Sequence, residues 1–167
     1  LSGHSKTDEG EIVEIKDNRL PELMQCLEDV SGKVIIWSRF RYDIKRIAAE
    51  LIKVYGPSST VTYFGDTSDE DRSNAIEFFQ KGDARFFIGN PQTGGYGITL
   101  TEANTVVYFA NSFDLAVRMQ SEDRCHRIGQ TQHVTYIDLI AEKTIDEKIV
   151  KSLRSKMDIA SRVMGEE

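Results

Sequence analysis

Short apolar runs alternate with helical stretches along this chain, and that alternation limits the fold more than any other feature of the sequence. Five runs have the length and composition of strands: KVIIWS, STVTYFG, ARFFIGN, NTVVYFAN and HVTYIDLIA. Stretches with apolar residues at helical spacing precede the first run, separate most of the others and follow the last. This order predicts an α/β domain of three layers, with a mainly parallel sheet and helices on both faces.

Two of the predicted helices begin at capping signals. Thr67 and Glu70 have the spacing of a capping box at the start of a helix over residues 67–82, and Thr144 and Glu147 have it at the start of the last helix. The segment AVRMQSEDRCHR, residues 116–127, also has helical spacing. We therefore expect a helix to run through residue 127.

A single domain suits a chain of 167 residues. We expect a linker or N-terminal extension over residues 1–18, a lobe over 19–143, and a C-terminal helix over 144–167 that packs on the lobe. The start of the chain lacks the apolar core of a signal peptide, and no run approaches the roughly 20 apolar residues that span a bilayer, so we expect no membrane partner.

The cysteine and histidine pattern predicts no metal site. Cys26 and Cys125 lie far apart, and neither they nor the three histidines have the spacing of zinc ligands. Two cysteines without a pairing pattern favour a reduced, intracellular compartment.

Polar and glycine-rich residues follow the predicted strands, at the edge where parallel α/β sheets gather their chemistry. Ser38 and Arg39 follow the first strand, and Asp66 and Thr67 follow the second. The loop NPQTGGYG follows the third. Its glycines would let backbone N–H groups approach a phosphate, although a tight turn explains them equally well and no Gly-Lys-Ser/Thr signature follows.

The segment QSEDRCHRIGQ holds the most specific candidates. On a helix, Gln120, Arg124 and Arg127 would lie on one face and would suit a flat anion. Two acidic neighbours, Glu122 and Asp123, leave surface ion pairs as an alternative. The formal net charge of −6 argues mildly against a nucleic-acid partner, but such binding needs only a local basic surface.

Five ordered segments together resemble the C-terminal helicase motifs of superfamily 2. They are KVIIWSRFRYDIKRIAAEL, YFGDTSDEDRSNAIEFF, GNPQTGGYGITLTEANTVVYF, QSEDRCHRIGQ and LIAEKTIDEKI. The fourth is most similar to motif VI of the SWI/SNF-type DNA translocases. The resemblance covers roughly residues 20 to 160 and implies the second of two RecA-like lobes that close on ATP.

The resemblance also implies roles for individual residues. Arg124 and Arg127 match arginine fingers that stabilise the transferring phosphoryl group, with Gln120 beside them as a third catalytic residue. Other matches imply ATP binding by Gly95, Gly97 and Asp123. Contacts with the DNA backbone are implied for Ser38, Arg39, Thr67, Thr93 and Gly94.

The implied partners are double-stranded DNA and the N-terminal RecA-like lobe of the same protein. That lobe would carry the Walker A and B motifs, which this chain lacks, and would hold the Mg²⁺ that accompanies ATP. We therefore expect this lobe alone to be inactive. An RNA helicase lobe and a non-catalytic interaction module on the same fold are the alternatives.

Three departures from the family pattern fall in loops. Asn90–Pro91 stands where relatives often have serine, Thr99 where they have asparagine, and Asn111 to Asp114 where they have Asp-Trp-Asn-Pro. These departures suggest a divergent branch, and we expect a cytoplasmic protein of a bacterial or phage-infected cell rather than a nuclear one.

Overall fold

A computed structural model of the protein describes residues 4–6, 12–14, 18–65, 68–93 and 97–164. Near the N-terminus, β1 (His4–Lys6) and β2 (Ile12–Glu14) form a separate antiparallel pair. The other strands form one sheet of five: β3 (Lys33–Trp37), β4 (Thr60–Tyr63), β5 (Phe86–Gly89), β6 (Ala103–Tyr108) and β7 (Thr135–Asp138).

All neighbouring strands of the five-stranded sheet are parallel, in the order β4–β5–β3–β6–β7. The predicted α/β class and the five predicted strands are confirmed. From the central β3 the chain first builds one side of the sheet and then crosses to the other. The loops after β3 and β6 therefore flank the point where the direction of winding reverses, and parallel α/β sheets bind their ligands beside such a point.

The described residues also form five α-helices: α1 (Arg19–Glu28), α2 (Arg41–Tyr55), α3 (Asp69–Lys81), α4 (Leu115–Asp123) and α5 (Ile145–Met164). Alternate residues of β3 point to opposite faces, so Val34 and Ile36 pack in a core with α1 and α2. Ile35 and Trp37 pack in a second core that contains Phe79 of α3. Both faces of the inner strands are therefore buried, which explains why β3 and β5 are continuous apolar runs, whereas the edge strands β4 and β7 alternate more and are only partly buried.

The N-cap of α3 lies one residue later than predicted. The Ser68 hydroxyl accepts a hydrogen bond from the Asp71 backbone N–H at 3.1 Å and donates to the Asp71 carboxylate at 2.7 Å. Ser68 is thus the N-cap, and the expected Thr67–Glu70 capping box is wrong. Both pairs have the same spacing, so the pattern alone did not distinguish them. Thr67 itself lies outside the described residues.

The end of α4 differs from the prediction by four residues. The helix starts under the Asp114 carboxylate, which accepts from the N–H groups of Ala116 and Val117, and it ends at Asp123. The following turn is held from outside: the Gln130 amide donates to three carbonyls, those of Thr101, Ala103 and Cys125, at 3.0, 3.0 and 3.3 Å. These bonds to the start of β6 replace a further helical turn.

The last helix packs against the rest of the domain. Ile149, Val150 and Leu153 are buried, and Asp146 forms an ion pair with Arg19 of α1. The Glu147 carboxylate accepts from the Lys143 N–H at 2.9 Å and the Thr144 hydroxyl accepts from the Asp146 N–H at 3.2 Å. Both predicted residues therefore cap the helix, but each bond comes from a donor one residue earlier than a capping box requires. The division of the chain at residues 18 and 143 stays a prediction. Among the described residues, none of the helices is long and apolar enough to cross a membrane.

Candidate functional site

An open cavity of about 420 Å³ lies between α4, the turn that follows it and the loop before β6. Its lining residues are Gly97, Ala116, Val117, Met119, Gln120, Asp123, Arg124 and Arg127. Five of them are predicted site residues, which the fold brings together although they span 31 positions of the chain. Gly95, the remaining predicted ATP-binding residue, lies outside the described residues. The cavity presents two guanidinium groups and one amide against one carboxylate, so its donors fit an anion.

Arg124 forms the buried wall of the cavity, with only 2% of its surface exposed. Its Nη2 donates to the carbonyl oxygens of Pro91 and Thr93 at 2.9 and 3.3 Å, and its guanidinium lies 5.2 Å from the centroid of the Trp37 ring. Burial is the main cause that lowers the pKa of Arg124, and the nearby charge of Arg127 acts in the same direction. A guanidinium nevertheless stays charged in proteins. Arg124 therefore holds the 90–93 turn and adds positive charge to the cavity.

Arg127 is exposed, in contrast to Arg124. Its Nη1 donates to the Gly97 carbonyl at 3.3 Å and to the Thr99 hydroxyl at 3.2 Å. Both bonds are long and open to solvent, so they would release the side chain at little cost. Arg124 is the C-cap of α4 and keeps helical backbone angles, whereas Arg127 lies beyond the helix, so the expected arrangement of all three residues on one helical face is wrong for Arg127. The turn brings the three to one cavity instead.

Three of the predicted DNA-contacting residues are described, and they follow β3 and β5. Ser38 is fully buried, and its hydroxyl donates to the Asp43 carboxylate at 3.3 Å. Arg39 is exposed, whereas Thr93 is half-buried and its N–H donates to the Asn90 carbonyl at 3.0 Å. Thr67 and Gly94 lie outside the described residues. Contact of these five residues with DNA stays a prediction.

A buried network at the start of α4 was not predicted. The Arg118 guanidinium stacks 3.5 Å from the centroid of the Tyr108 ring and donates to Asp138 at 2.5 Å, to Asn111 at 3.0 Å and to Glu122 at 2.6 Å. Burial lowers the pKa of Arg118, but the hydrogen bonds to Asp138 and Glu122 leave it raised overall. The spacing of Arg118 and Glu122 is visible in the sequence, whereas the contact with Asp138 requires the packed sheet.

This network bears on the ion-pair alternative for motif VI. Glu122 directs its carboxylate to Arg118, one turn back along α4, and not to the arginines that follow it. At the start of α3, Asp71 joins the Ser68 cap and Asp69 pairs with Arg72 at 3.2 Å. Within the part of the chain that the structure describes, no group of three or more histidine, cysteine or acidic residues is placed to hold a metal ion.

Comparison with known proteins identifies relatives for most of the chain. The helicase conserved C-terminal domain family matches residues 15–129. The ATP-dependent helicase fft2 of Schizosaccharomyces pombe is 33% identical over 141 residues, which are 83% of this chain and 11% of the relative. The human chromatin-remodeling ATPase INO80 is 31% identical over 147 residues, 87% of this chain and 9% of the relative. The chain thus spans about a tenth of the length of each.

A solved structure agrees with these relatives. The Sulfolobus solfataricus SWI2/SNF2 ATPase core domain superposes with a TM-score of 0.64 and 31% sequence identity, over 81% of this chain and 27% of that one. The two curated relatives contradict the expected location in a bacterial or phage-infected cytoplasm, because both are eukaryotic and the human one is named for chromatin, a nuclear material. The loop departures on which that expectation rested change local contacts and carry no information about the compartment.

Proposed function

Because the chain belongs to the helicase conserved C-terminal domain family and is the C-terminal lobe of a SWI2/SNF2-type ATPase, we propose that it is the second motor lobe of a translocase that moves along double-stranded DNA. The observation that carries this proposal is the cavity in which Gly97, Gln120, Asp123, Arg124 and Arg127 meet. In the complete protein this cavity faces an N-terminal RecA-like lobe, and ATP binds between the two.

Arg127 is the residue that contacts the terminal phosphate of ATP. Its side chain is exposed at the mouth of the cavity, and within the described part of the chain it donates to the Gly97 carbonyl and the Thr99 hydroxyl. A planar guanidinium matches two phosphate oxygens, and an arginine supplied to a phosphoryl-transfer site typically raises the rate by about 10³–10⁵.

Arg124 and Gln120 support that contact. Arg124 places a fixed positive charge behind the phosphate while it remains bonded to the 90–93 turn. A charge that is already in position needs no reorganisation when negative charge develops in the transition state. Gln120 lines the same cavity, and its amide can donate to a phosphate oxygen and accept from a water molecule.

The nucleotide supplies the phosphoryl group that is transferred to water, and Mg²⁺ neutralises part of its charge. The residues of this cavity fit the anionic end of ATP and not the metal, because arginine cannot act as a cation ligand. The Mg²⁺ ligands and the Walker A lysine therefore belong to the N-terminal lobe. This lobe alone should not hydrolyse ATP.

We assign DNA contact to the segment after β3, which lies across the 90–93 turn from the ATP-facing cavity. Arg39 is exposed directly after β3, at the edge where parallel α/β sheets bind ligands. The whole chain has a formal charge of −6, so its contacts with the phosphate backbone are few and local. Binding of DNA by this lobe should be weak and should decrease steeply with salt.

The test is ATP turnover of the complete protein with and without double-stranded DNA, for the wild type and Arg127→Ala. We expect DNA to stimulate the wild type, and we expect Arg127→Ala to lower stimulated turnover by roughly several hundredfold or more with ATP binding retained. Arg154→Ala, at an exposed arginine of α5, is the matched control.

Two further arms test the alternatives. Stimulation by RNA in place of DNA would indicate an RNA helicase lobe. Near-equal turnover of wild type and Arg127→Ala would mean that Arg127 makes only surface contacts and has no role in catalysis. That result would favour the non-catalytic interaction module.

A further inference from the structure

We propose that Asn90 is a positioning residue that links the Arg39 loop to Arg124, and so couples DNA contact to the ATP-facing cavity. The inference rests on the proposed function and names a residue through which that function is regulated. Asn90 is half-buried at the end of β5, next to the strand that carries Arg39.

The two ends of the Asn90 amide have different partners. The Nδ2 atom donates to the Arg39 carbonyl at 3.1 Å, across 51 positions of the chain. The Oδ1 atom accepts from the Gln92 N–H at 2.8 Å and closes the turn that begins at Asn90. The backbone adds a third bond, in which the Asn90 carbonyl accepts from the Thr93 N–H at 3.0 Å. The side chain therefore shapes the turn and ties it to the Arg39 loop at the same time.

The other side of the same turn is held by Arg124. The two carbonyls to which Arg124 Nη2 donates are those of Pro91 and Thr93, the second and fourth residues of the turn. The turn over residues 90–93 thus lies between two other segments: the loop of residues 38–40 that contains Arg39, and motif VI, residues 120–130. A continuous set of hydrogen bonds, each 3.3 Å or shorter, runs from the Arg39 carbonyl to the Arg124 guanidinium.

This path is short and well supported, so a displacement at one end reaches the other. The Ser38 N–H donates to the Gly89 carbonyl at 2.9 Å, which fixes β3 and β5 directly below the loop. Arg124 is buried against Trp37, the last residue of β3. The backbone of Arg39 can therefore shift relative to this rigid base when its side chain contacts a phosphate, and Asn90 transmits the shift because the Arg39 carbonyl is its acceptor.

Asparagine is chemically suited to this position. A donor and an acceptor are needed on one short side chain, and aspartate offers only the acceptor. Asn90→Asp therefore keeps the bond from the Gln92 N–H and removes the bond to Arg39. Asn90→Ala removes both without adding charge.

Gln80 provides a matched control at another loop. Its amide also bridges two segments, because Nε2 donates to the Thr101 hydroxyl at 3.3 Å and Oε1 accepts from the Glu102 N–H at 3.2 Å. Gln80→Glu makes the same change of one atom and one charge as Asn90→Asp. It lies away from both Arg39 and the cavity.

The experiment measures ATP turnover of the complete protein with no DNA and with saturating double-stranded DNA, for both Asn90 variants and for Gln80→Glu and Gln80→Ala. We expect the ratio of stimulated to unstimulated turnover to fall roughly three- to tenfold in both Asn90 variants, the range that a single hydrogen bond contributes. DNA affinity without nucleotide and turnover without DNA should change less than about twofold. The Gln80 variants should keep the wild-type ratio.

Each other outcome overturns the inference in a recognisable way. Wild-type stimulation in both Asn90 variants would remove the coupling role and leave the proposed function intact. An equal loss of turnover with and without DNA, or a lowered thermal midpoint in the Asn90 variants alone, would mean that Asn90 only supports the fold. A wild-type protein that DNA does not stimulate would refute the proposed function, and the inference with it.

Discussion

The two ends of α4 each carry arginine, and they hold it in different ways. At the start of the helix, Arg118 is bonded to the carboxylates of Glu122 and Asp138 and stacks on Tyr108. Beyond its end, Arg127 donates to a backbone carbonyl and a hydroxyl. An arginine neutralised by two acids stabilises the domain, whereas one held by neutral oxygens keeps its charge for an anion. The chemistry of the partners therefore distinguishes Arg118 from Arg127, for which we propose different roles, although both lie within ten residues of sequence.

Substitution of the two arginines by methionine gives the strongest test of that difference. Arg118→Met should lower the free energy of unfolding by about 1.5–3 kcal/mol, because it removes charge-assisted hydrogen bonds from the half-buried carboxylates of Asp138 and Glu122. Arg127→Met should change it by about 0.5 kcal/mol or less, since the side chain is exposed. Urea denaturation of both variants measures the two values. Similar losses of unfolding free energy in the two variants would show that Arg118 and Arg127 stabilise the domain to the same extent.

A second prediction concerns the turn over residues 124–130, which follows α4 and is stabilised by hydrogen bonds from Gln130. Gln130→Ala should destabilise the domain by about 1–3 kcal/mol, because its amide donates to three carbonyls that would lose a partner. Hydrogen exchange should become faster for the turn over residues 124–130 and remain unchanged at the start of α4. Uniform acceleration along the whole segment would contradict a turn that is held separately from the helix.

The smallest expected effect is a pH dependence at Cys125, in the turn between the two arginines of motif VI. Burial raises the pKa of this thiol to about 12 from an ordinary value of 9.0, so the folded state keeps it protonated. Stability from Cys125 is complete below pH 9.0 and decreases as the pH rises towards 12, with a slope of at most about 1.4 kcal/mol per pH unit.

Cys125→Ala is the variant that isolates this contribution. It should flatten the decline of the unfolding free energy between pH 9 and pH 10.5, measured by denaturant titration against the wild type. Cys26→Ala, at a half-buried cysteine of α1, should leave most of the slope in place. An unchanged slope in Cys125→Ala would mean that the turn admits solvent to the thiol.

Much of the candidate site was predictable because Gln120, Arg124 and Arg127 stand at helical spacing in a segment that resembles motif VI of a known family, and the same resemblance implied Asp123. These four residues do line one cavity. The Arg118 network and the Asn90 bridge were not identified. Asp138 and Arg39, the partners that explain these two residues, lie 20 and 51 positions away, and spacing rules apply only within one helix or strand.

The sequence by itself determined the class of fold, because a period of two or a continuous apolar run specifies a strand and a period of three to four specifies a helix, whatever lies elsewhere in the chain. Only the tertiary structure decided where α4 ends and which arginine of motif VI is buried. The helix stops at Asp123 because Gln130 finds carbonyls at the start of β6. Arg124 is buried and Arg127 exposed because the 90–93 turn offers its carbonyls to the first alone. Those bonds join residues about 30 positions apart, so no local pattern predicts them. Each gives a hydrogen-bond partner to a polar group that the packed domain would otherwise bury without one. This gain outweighs the small free energy by which the local sequence favours a longer helix.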